Sequence, residues 1–233
     1  MVFDYPDFDA LASVDLFLQE VDIEPYIDTK KKVLFFSSHS HPDHFSPKIK
    51  ELAKRIRSSN LIFSDGVFDL FPDYTKGMEN KCYPMKPGDC IDIEGTKIEA
   101  MPSTDIGLSF FIEHKGIHLF FPGDLALWLW EDLDEDIKKQ TKEIFNNVIQ
   151  ILKKKRTDIL FVVMEPSLKE IGWGGAVDAV NGVMPALTIP IHLRQQLSLI
   201  YKFKQALPPD AEVFSYRRTG DYLDWQKQQD QRQ

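Results

Sequence analysis

Three of the six histidines fall within six residues, in Ser38-His39-Ser40-His41-Pro42-Asp43-His44. Neutral imidazoles and a carboxylate are ligands suited to zinc, manganese or ferrous iron. Residues two apart on an extended segment point the same way, so His39 and His41 can converge on one cation. Asp43 and His44 are adjacent, point elsewhere, and can hold a second. The plain alternative is a solvated, histidine-rich loop, and the order of the flanking segments argues against it. Val33-Leu34-Phe35-Phe36 reads as a buried strand. Ser46 reads as a helix N-cap and Pro47 as a first helical residue. The cluster therefore sits where a strand hands over to a helix, which is where α/β proteins place chemistry.

The elements that must position this loop follow from periodicity. Ile49, Leu52, Ala53 and Ile56 give residues 47–57 one apolar face, and Leu61-Ile62-Phe63-Ser64 is a second buried strand, so the pattern is βαβ with a parallel pair. Residues 80–101 switch to short runs with turns at Pro87-Gly88 and Glu94-Gly95, and Leu108–Ile112 and Ile117–Phe121 flank a turn at His114-Lys115-Gly116. His114 and His118 belong to that hairpin and read as ordinary strand or turn histidines. Residues 132–155 form an amphipathic helix with Ile137, Thr141, Ile144, Phe145, Val148, Ile151 and Leu152 on one face, acids at its start and lysines at its end. Ile159–Met164 is an apolar strand ending in Glu165, which reads first as a turn residue and second as lining the mouth of the pocket. Gly172-Trp173-Gly174-Gly175 reads as a flexible loop before a helix to about Met184. Leu187–Ile191 is a short strand running into His192, a helix near 194–206 and a strand Val213–Tyr216 follow, and Val14–Val21 stays unassigned.

Composition narrows the function classes. The chain has 233 residues, 43% of them hydrophobic, enough for a sizeable core. The formal net charge of −8 disfavours a nucleic-acid partner and leaves no polybasic patch for an anionic membrane. No apolar run reaches transmembrane length, and Met1-Val2-Phe3-Asp4 is not a signal peptide. Cys82 and Cys90 are too few for a disulfide framework and read as reduced thiols of a cytoplasmic protein.

The histidine run resembles the signature of the metallo-β-lactamase superfamily. Within it the chain is similar to stand-alone hydrolase-like proteins that carry a segment like Ser103-Thr104-Asp105-Ile106-Gly107-Leu108-Ser109-Phe110. The resemblance implies an αββα sandwich, two mixed β-sheets flanked by helices, over residues 1–225, with N-terminal strands abbreviated; separately, the glutamine-rich tail at 226–233 reads as disordered. It also implies a ligand set. His39 and His41 hold a first metal, Asp43, His44 and His192 a second, and Asp124, at the end of Phe120-Phe121-Pro122-Gly123, is shared. Asp43 and Asp124 take the catalytic roles. By the same resemblance Asp4 supports the ligands from behind, and a plain turn aspartate is the equal alternative. The expected cofactor is Zn2+, one ion or two, with Mn2+ or Fe2+ as alternatives.

Two departures from the pattern stand out. Relatives place a histidine where this chain has Thr104, so Asp105 is the substitute if the loop turns it inward, and the second site is expected to bind more tightly than the first. Relatives also carry a histidine at the place of Leu129, between Trp128 and Trp130, which read either as core or as an apolar wall over the metals. No Ser-His-Asp or Cys-His pattern offers another nucleophile. The leading reading is a metal-dependent hydrolase of a small ester, lactone or similar carbonyl compound. The acidic charge and the Trp and Leu side chains suggest an uncharged or apolar substrate. A non-catalytic metal-binding protein is the alternative, and phosphodiester hydrolysis ranks below both for want of basic residues to clamp a phosphate.

Overall fold

The structure, a computed structural model, describes residues 1–12, 22–78, 81–194 and 196–226, without the side chains of residues 75 and 169–172. Val14–Val21 and the tail beyond Gln226 lie outside the described residues. The chain divides into two units, Met1–Cys90 with Glu99–Phe110 and Pro122–Leu125, and Ile91–Ile98 with Phe111–Phe121 and Ala126–Gln233.

The first unit contains β1 (Val2–Phe3), α1 (Phe8–Leu11), β2 (Val33–Ser37), α2 (Lys48–Arg55), β3 (Ser59–Ser64), α3 (Asp65–Leu70) and β4 (Cys82–Met85). These strands form a four-stranded sheet in the order β1-β2-β3-β4, each neighbouring pair parallel. All five residues of β2 are buried, as a parallel strand covered on both faces requires. On one face Phe35, Leu61 and Phe63 pack with Phe45, Ile49, Ala53 and Ile56 of the following loop and helix. On the other, Phe36 stacks on Phe3 at 4.7 Å and meets Phe110 edge-on at 5.3 Å. The expected βαβ unit is therefore present, and its apolar face is the one that 3–4 spacing picks out. The helix begins one residue late: Pro47 is the N-cap, and Ser46 Oγ accepts from Lys48 N–H at 3.3 Å.

The second sheet has six strands in the order β10-β9-β8-β7-β6-β5, formed by β5 (Cys90–Ile93), β6 (Thr96–Pro102), β7 (Leu108–His114), β8 (Ile117–Phe121), β9 (Ile159–Val163) and β10 (Leu187–Ile191). β8, β9 and β10 run parallel. Glu94-Gly95 and Lys115-Gly116 each place both residues at positive φ, the type I′ geometry that closes antiparallel hairpins. His114 and His118 are ordinary strand histidines, bonded to Thr96 Oγ1 at 2.8 Å and to Asp158 Oδ2 at 3.1 Å.

Two helices of the second unit, α4 (Glu135–Lys154) and α5 (Lys169–Val183), pack on each other. Asp134 caps α4 by accepting from Asp136 N–H. Thr141, Phe145, Val148 and Leu152 are buried as expected, but Ile137 and Ile151 face solvent and Ile149 takes the inner position instead. The Gly-rich stretch 172–175 is not a loop; it lies inside α5. Helix propensity disfavours glycine, but tertiary packing outweighs it here. A Cβ at Gly175 would come within 3.2 Å of Leu127 and 3.4 Å of Phe145, so the glycine backbone itself is the packing surface. The last helix, α6 (Leu199–Ala206), starts five residues later than the sequence suggests. Val213–Tyr216 is no strand: Val213 makes one isolated bridge to Thr188, and Tyr216 Oη donates to Pro190 O at 2.8 Å.

Candidate metal centre

The carboxyl end of β2 opens into the histidine loop, and Ser37 fixes that loop's path. Its buried hydroxyl donates toward the carbonyls of His39 (2.9 Å) and His44 (3.0 Å). His44 and Phe45 N–H both return to His41 O at 2.9 Å, and buried Phe45 anchors the exit.

Two glycines bring other segments against this turn. Gly107 (φ +83) has no room for a side chain, since a Cβ would stand 2.1 Å from Ser38 O and 2.5 Å from His39 Cβ. Gly123 (φ +52) is closed in the same way by Leu108 O and Ser38 Cβ, both at 2.6 Å. Both positions need the left-handed backbone that glycine permits. Their neighbours Asp105 and Asp124 are thereby delivered to the histidines.

Asp4 follows β1, and its N–H donates to Phe36 O at 3.0 Å, which continues the strand pairing. It holds a left-handed φ of 44°, a conformation aspartate tolerates better than most residues. Its carboxylate accepts from Ser38 N–H (2.7 Å), Ser38 Oγ–H (2.7 Å) and His44 Nδ1–H (2.8 Å). Proton bookkeeping then fixes two tautomers. A carboxylate only accepts, so the single Ser38 hydroxyl proton goes to Asp4. Ser38 Oγ lies 3.0 Å from His39 Nδ1, so it accepts there and His39 carries its proton on Nδ1. His44 likewise donates from Nδ1. As neutral imidazoles both present the Nε2 lone pair, the atom a metal takes.

Those Nε2 atoms meet the shared carboxylate. Asp124, with 7% of its side chain exposed, sets Oδ1 3.2 Å from His44 Nε2 and Oδ2 3.7 Å from His39 Nε2. Asp43 Oδ2 lies 3.4 Å from His44 Nε2. His41 Nδ1 lies 3.0 Å from His39 Nε2 and 3.9 Å from Asp105 Oδ2. One ligating atom from each of His39, His41, Asp105 and Asp124 falls within 4.8 Å of the other three. Thr104 is engaged differently: its hydroxyl donates to Asp124 O at 3.2 Å. Burial disfavours protonation of His44, but Asp4, Asp43 and Asp124 together outweigh it and hold its pKa well above the ordinary value. A set of carboxylates that strong calls for positive charge at its centre. Two imidazoles and two carboxylates converging there fit a divalent cation.

His192 follows β10, in the second unit, at φ 62°. The register Ile191↔Val163 places it beside the end of β9. Its Nδ1 lies 3.1 Å from Glu165 Oε2, and Trp128 meets its ring edge-on at 5.7 Å. Trp128 stacks on Trp130 at 6.4 Å; the first is half-buried and the second exposed, so the pair is not core.

Glu165 is not the turn residue that the sequence suggests. Its side chain is 0% exposed. It accepts from Ser167 N–H at 3.0 Å, from Ser167 Oγ–H, and from Arg194 Nε–H at 2.7 Å. Burial pushes its pKa up, yet the bonds from His192, Ser167 and Arg194 outweigh that and bring it to about 2. Sequence reasoning misses Arg194 as a functional candidate and ranks Glu165 at the pocket mouth below a turn role. Two signals were available: an apolar strand that ends in an ionisable residue, and the His192-x-Arg194 spacing, which repeats that of His39 and His41.

No protein-family model matches the sequence, and no curated protein matches it. Solved structures do. The metallo-β-lactamase fold protein YhfI from Bacillus subtilis superposes with a TM-score of 0.58 at 11% identity, over 82% of this chain and 77% of that one. CmlA, a diiron β-hydroxylase from Streptomyces venezuelae, gives 0.50 at 10% identity, over 78% of this chain. The match spans only 43% of CmlA's own length. A diphosphatase from the PhnP family gives 0.50 at 11% identity, over 91% and 75%. The resemblance read from the histidine run thus extends to the whole fold, which is that of the metallo-β-lactamases.

Proposed function

We propose that this chain, built on the metallo-β-lactamase fold, is a metal-dependent hydrolase acting on a small ester, lactone or similar carbonyl compound. The observation that carries the reading is the convergence of His39, His41, Asp105 and Asp124 within 4.8 Å. In this reading those four residues hold a first cation, and Asp43, His44 and His192 hold a second, with Asp124 shared. Zinc, manganese and ferrous iron all suit imidazole and carboxylate donors. A divalent cation bound there supplies Lewis acidity and lowers the pKa of its water toward neutrality, on the order of 7. The remaining work belongs to the protein. Asp4 keeps the Nε2 atoms of His39 and His44 available. Asp124 and the more exposed Asp43 orient the attacking water by accepting its hydrogen bonds. Trp128 and Trp130 offer apolar surface for the body of the substrate.

The test is turnover of a panel of lactones, aryl esters and an aryl phosphodiester by the metal-loaded chain. Hydrolysis of a carbonyl substrate that disappears with chelator and returns with added Zn2+, Mn2+ or Fe2+ is the expected result. A second reading, a metal-binding protein without turnover, draws on the Thr104 hydroxyl being committed to a backbone carbonyl and on the half-exposed His41 and Asp105 at the first site. A metal-loaded chain inert toward the whole panel would favour it.

A further inference from the structure

We propose that Arg194 is the specificity residue for an anionic group on the substrate, a carboxylate or a phosphate, which it grips from a rigid mount on Glu165. The proposal deepens the hydrolase reading, because it takes His192 as part of that site. The mount itself lies within one unit and stands on its own geometry.

Three hydrogen bonds hold the Glu165 carboxylate in place. Oε1 accepts twice from Ser167, and Oε2 accepts from Arg194 Nε at 2.7 Å and lies 3.1 Å from His192 Nδ1. Arg194 is therefore held at Nε, which leaves four further N–H groups on the guanidinium. Among the described residues, Glu165 is the one side chain bonded to Arg194, and the Arg194 side chain is 45% exposed. A planar fork pinned at Nε, with its far end open, is the arrangement that reads carboxylates and phosphates in two-point fashion.

The backbone is arranged to hold this group. His192 and Arg194 both sit at left-handed φ, 62° and 42°, on either side of buried Leu193. Two non-glycine residues in that region are strained, and such strain persists where surrounding structure enforces it, often at ligand clamps. An arginine needed only to neutralise Glu165 would satisfy it equally with the guanidinium covered. Two residues along the chain from Arg194, His192 meets Trp128, and Trp130, stacked on Trp128, reaches solvent. Open N–H donors on the segment that also meets an indole suit a small molecule with an anionic end and an apolar body. The proposal departs from the expectation of an uncharged or apolar substrate, which rests on net charge and on the Trp and Leu side chains.

The experiment uses the full chain stripped of metal by chelator, titrated calorimetrically with benzoate, phenyl phosphate and, as neutral control, benzyl alcohol. The wild type is expected to bind at least one of the two anions and not the alcohol, and which anion binds separates the two sources. Arg194→Gln is expected to weaken that binding roughly ten-fold or more. Arg194→Lys keeps the ion pair with Glu165, and so the fold, but loses the fork; it should also bind the anion more weakly. Anion affinity unchanged in both variants, or a wild type that does not prefer anions to the alcohol, overturns the proposal. The two readings fail separately. Anion binding without turnover of any substrate sinks the hydrolase reading alone, and metal-dependent turnover together with anion affinity unchanged in both Arg194 variants sinks this one alone.

Discussion

The molecule builds the same acid–imidazole couple twice, in opposite electrostatic surroundings. Asp4 accepts from His44 Nδ1 at 2.8 Å, and Glu165 lies 3.1 Å from His192 Nδ1. Around His44 the other neighbours are carboxylates, Asp43 and Asp124. Around His192 they are a guanidinium, through Glu165, and an indole. The first region carries surplus negative charge, which suits a cation. The second is balanced internally and keeps donors facing outward. The pairing of an acid with an imidazole therefore says little about what a site wants; the surrounding charge decides.

The contrast can be broken most sharply at the shared carboxylate. Asp124→Asn should reduce turnover to background and remove the stronger metal equivalent, read by metal analysis after dialysis. Loss of turnover with full metal content would mean that Asp124 is not a ligand. Next comes the support behind the ligands. Asp4→Asn should weaken metal binding about 10–100-fold. Ser38→Ala, which releases only the His39 tautomer, should do less and act on the first site. If the Ser38 and Asp4 variants matched each other, the hydroxyl relay deduced above would be wrong. Competition with a graded series of chelators should also resolve two affinities in the wild type, with the His39–His41–Asp105 site the weaker. Equal affinities would count against the consequence drawn from Thr104.

The balanced region makes a prediction about stability. The carboxyl pKa of Glu165 is lowered from 4.5 to about 2, so its ionised form is stabilised by folding. That contribution is complete above pH 4.5 and is lost as pH falls toward 2. Glu165→Gln should cost at most about 3 kcal/mol at pH 7, less to the extent that Arg194 is screened by solvent. The gap in melting temperature between variant and wild type should narrow from pH 5 to pH 2.5. A gap that stays constant would mean that packing, not charge, is what the substitution disturbs. The smallest effect belongs to neither region. Gly174, inside α5 with nothing within 4 Å of a built Cβ, should accept alanine with a gain of roughly 0.5–1 kcal/mol, read by denaturant midpoint.

Local signals in the sequence carried much of this. The histidine run, the βαβ unit and the Glu94-Gly95 and Lys115-Gly116 hairpins are specified by residues close together in the chain. What escaped depends on distant partners. Gly172–Gly175 reads as a loop until Leu127 and Phe145 arrive to pack on Gly175. Ile137 and Ile149 have equal claims to the inner face of α4 until α5 chooses between them. Glu165 looks like a turn residue until parallel pairing of β9 and β10 sets it beside His192 and Arg194. Asp105 could be placed only conditionally, because its direction depends on how closely Gly107 approaches Ser38.

That close approach has a consequence for anyone who maps function by saturation mutagenesis. Positions 107 and 123 would come back empty from a library selected for nothing more than expression. Ranked by intolerance, they would sit level with His39 and Asp124 although neither has a side chain to offer a ligand. Separating the two groups needs an assay in which protein abundance and activity are scored independently.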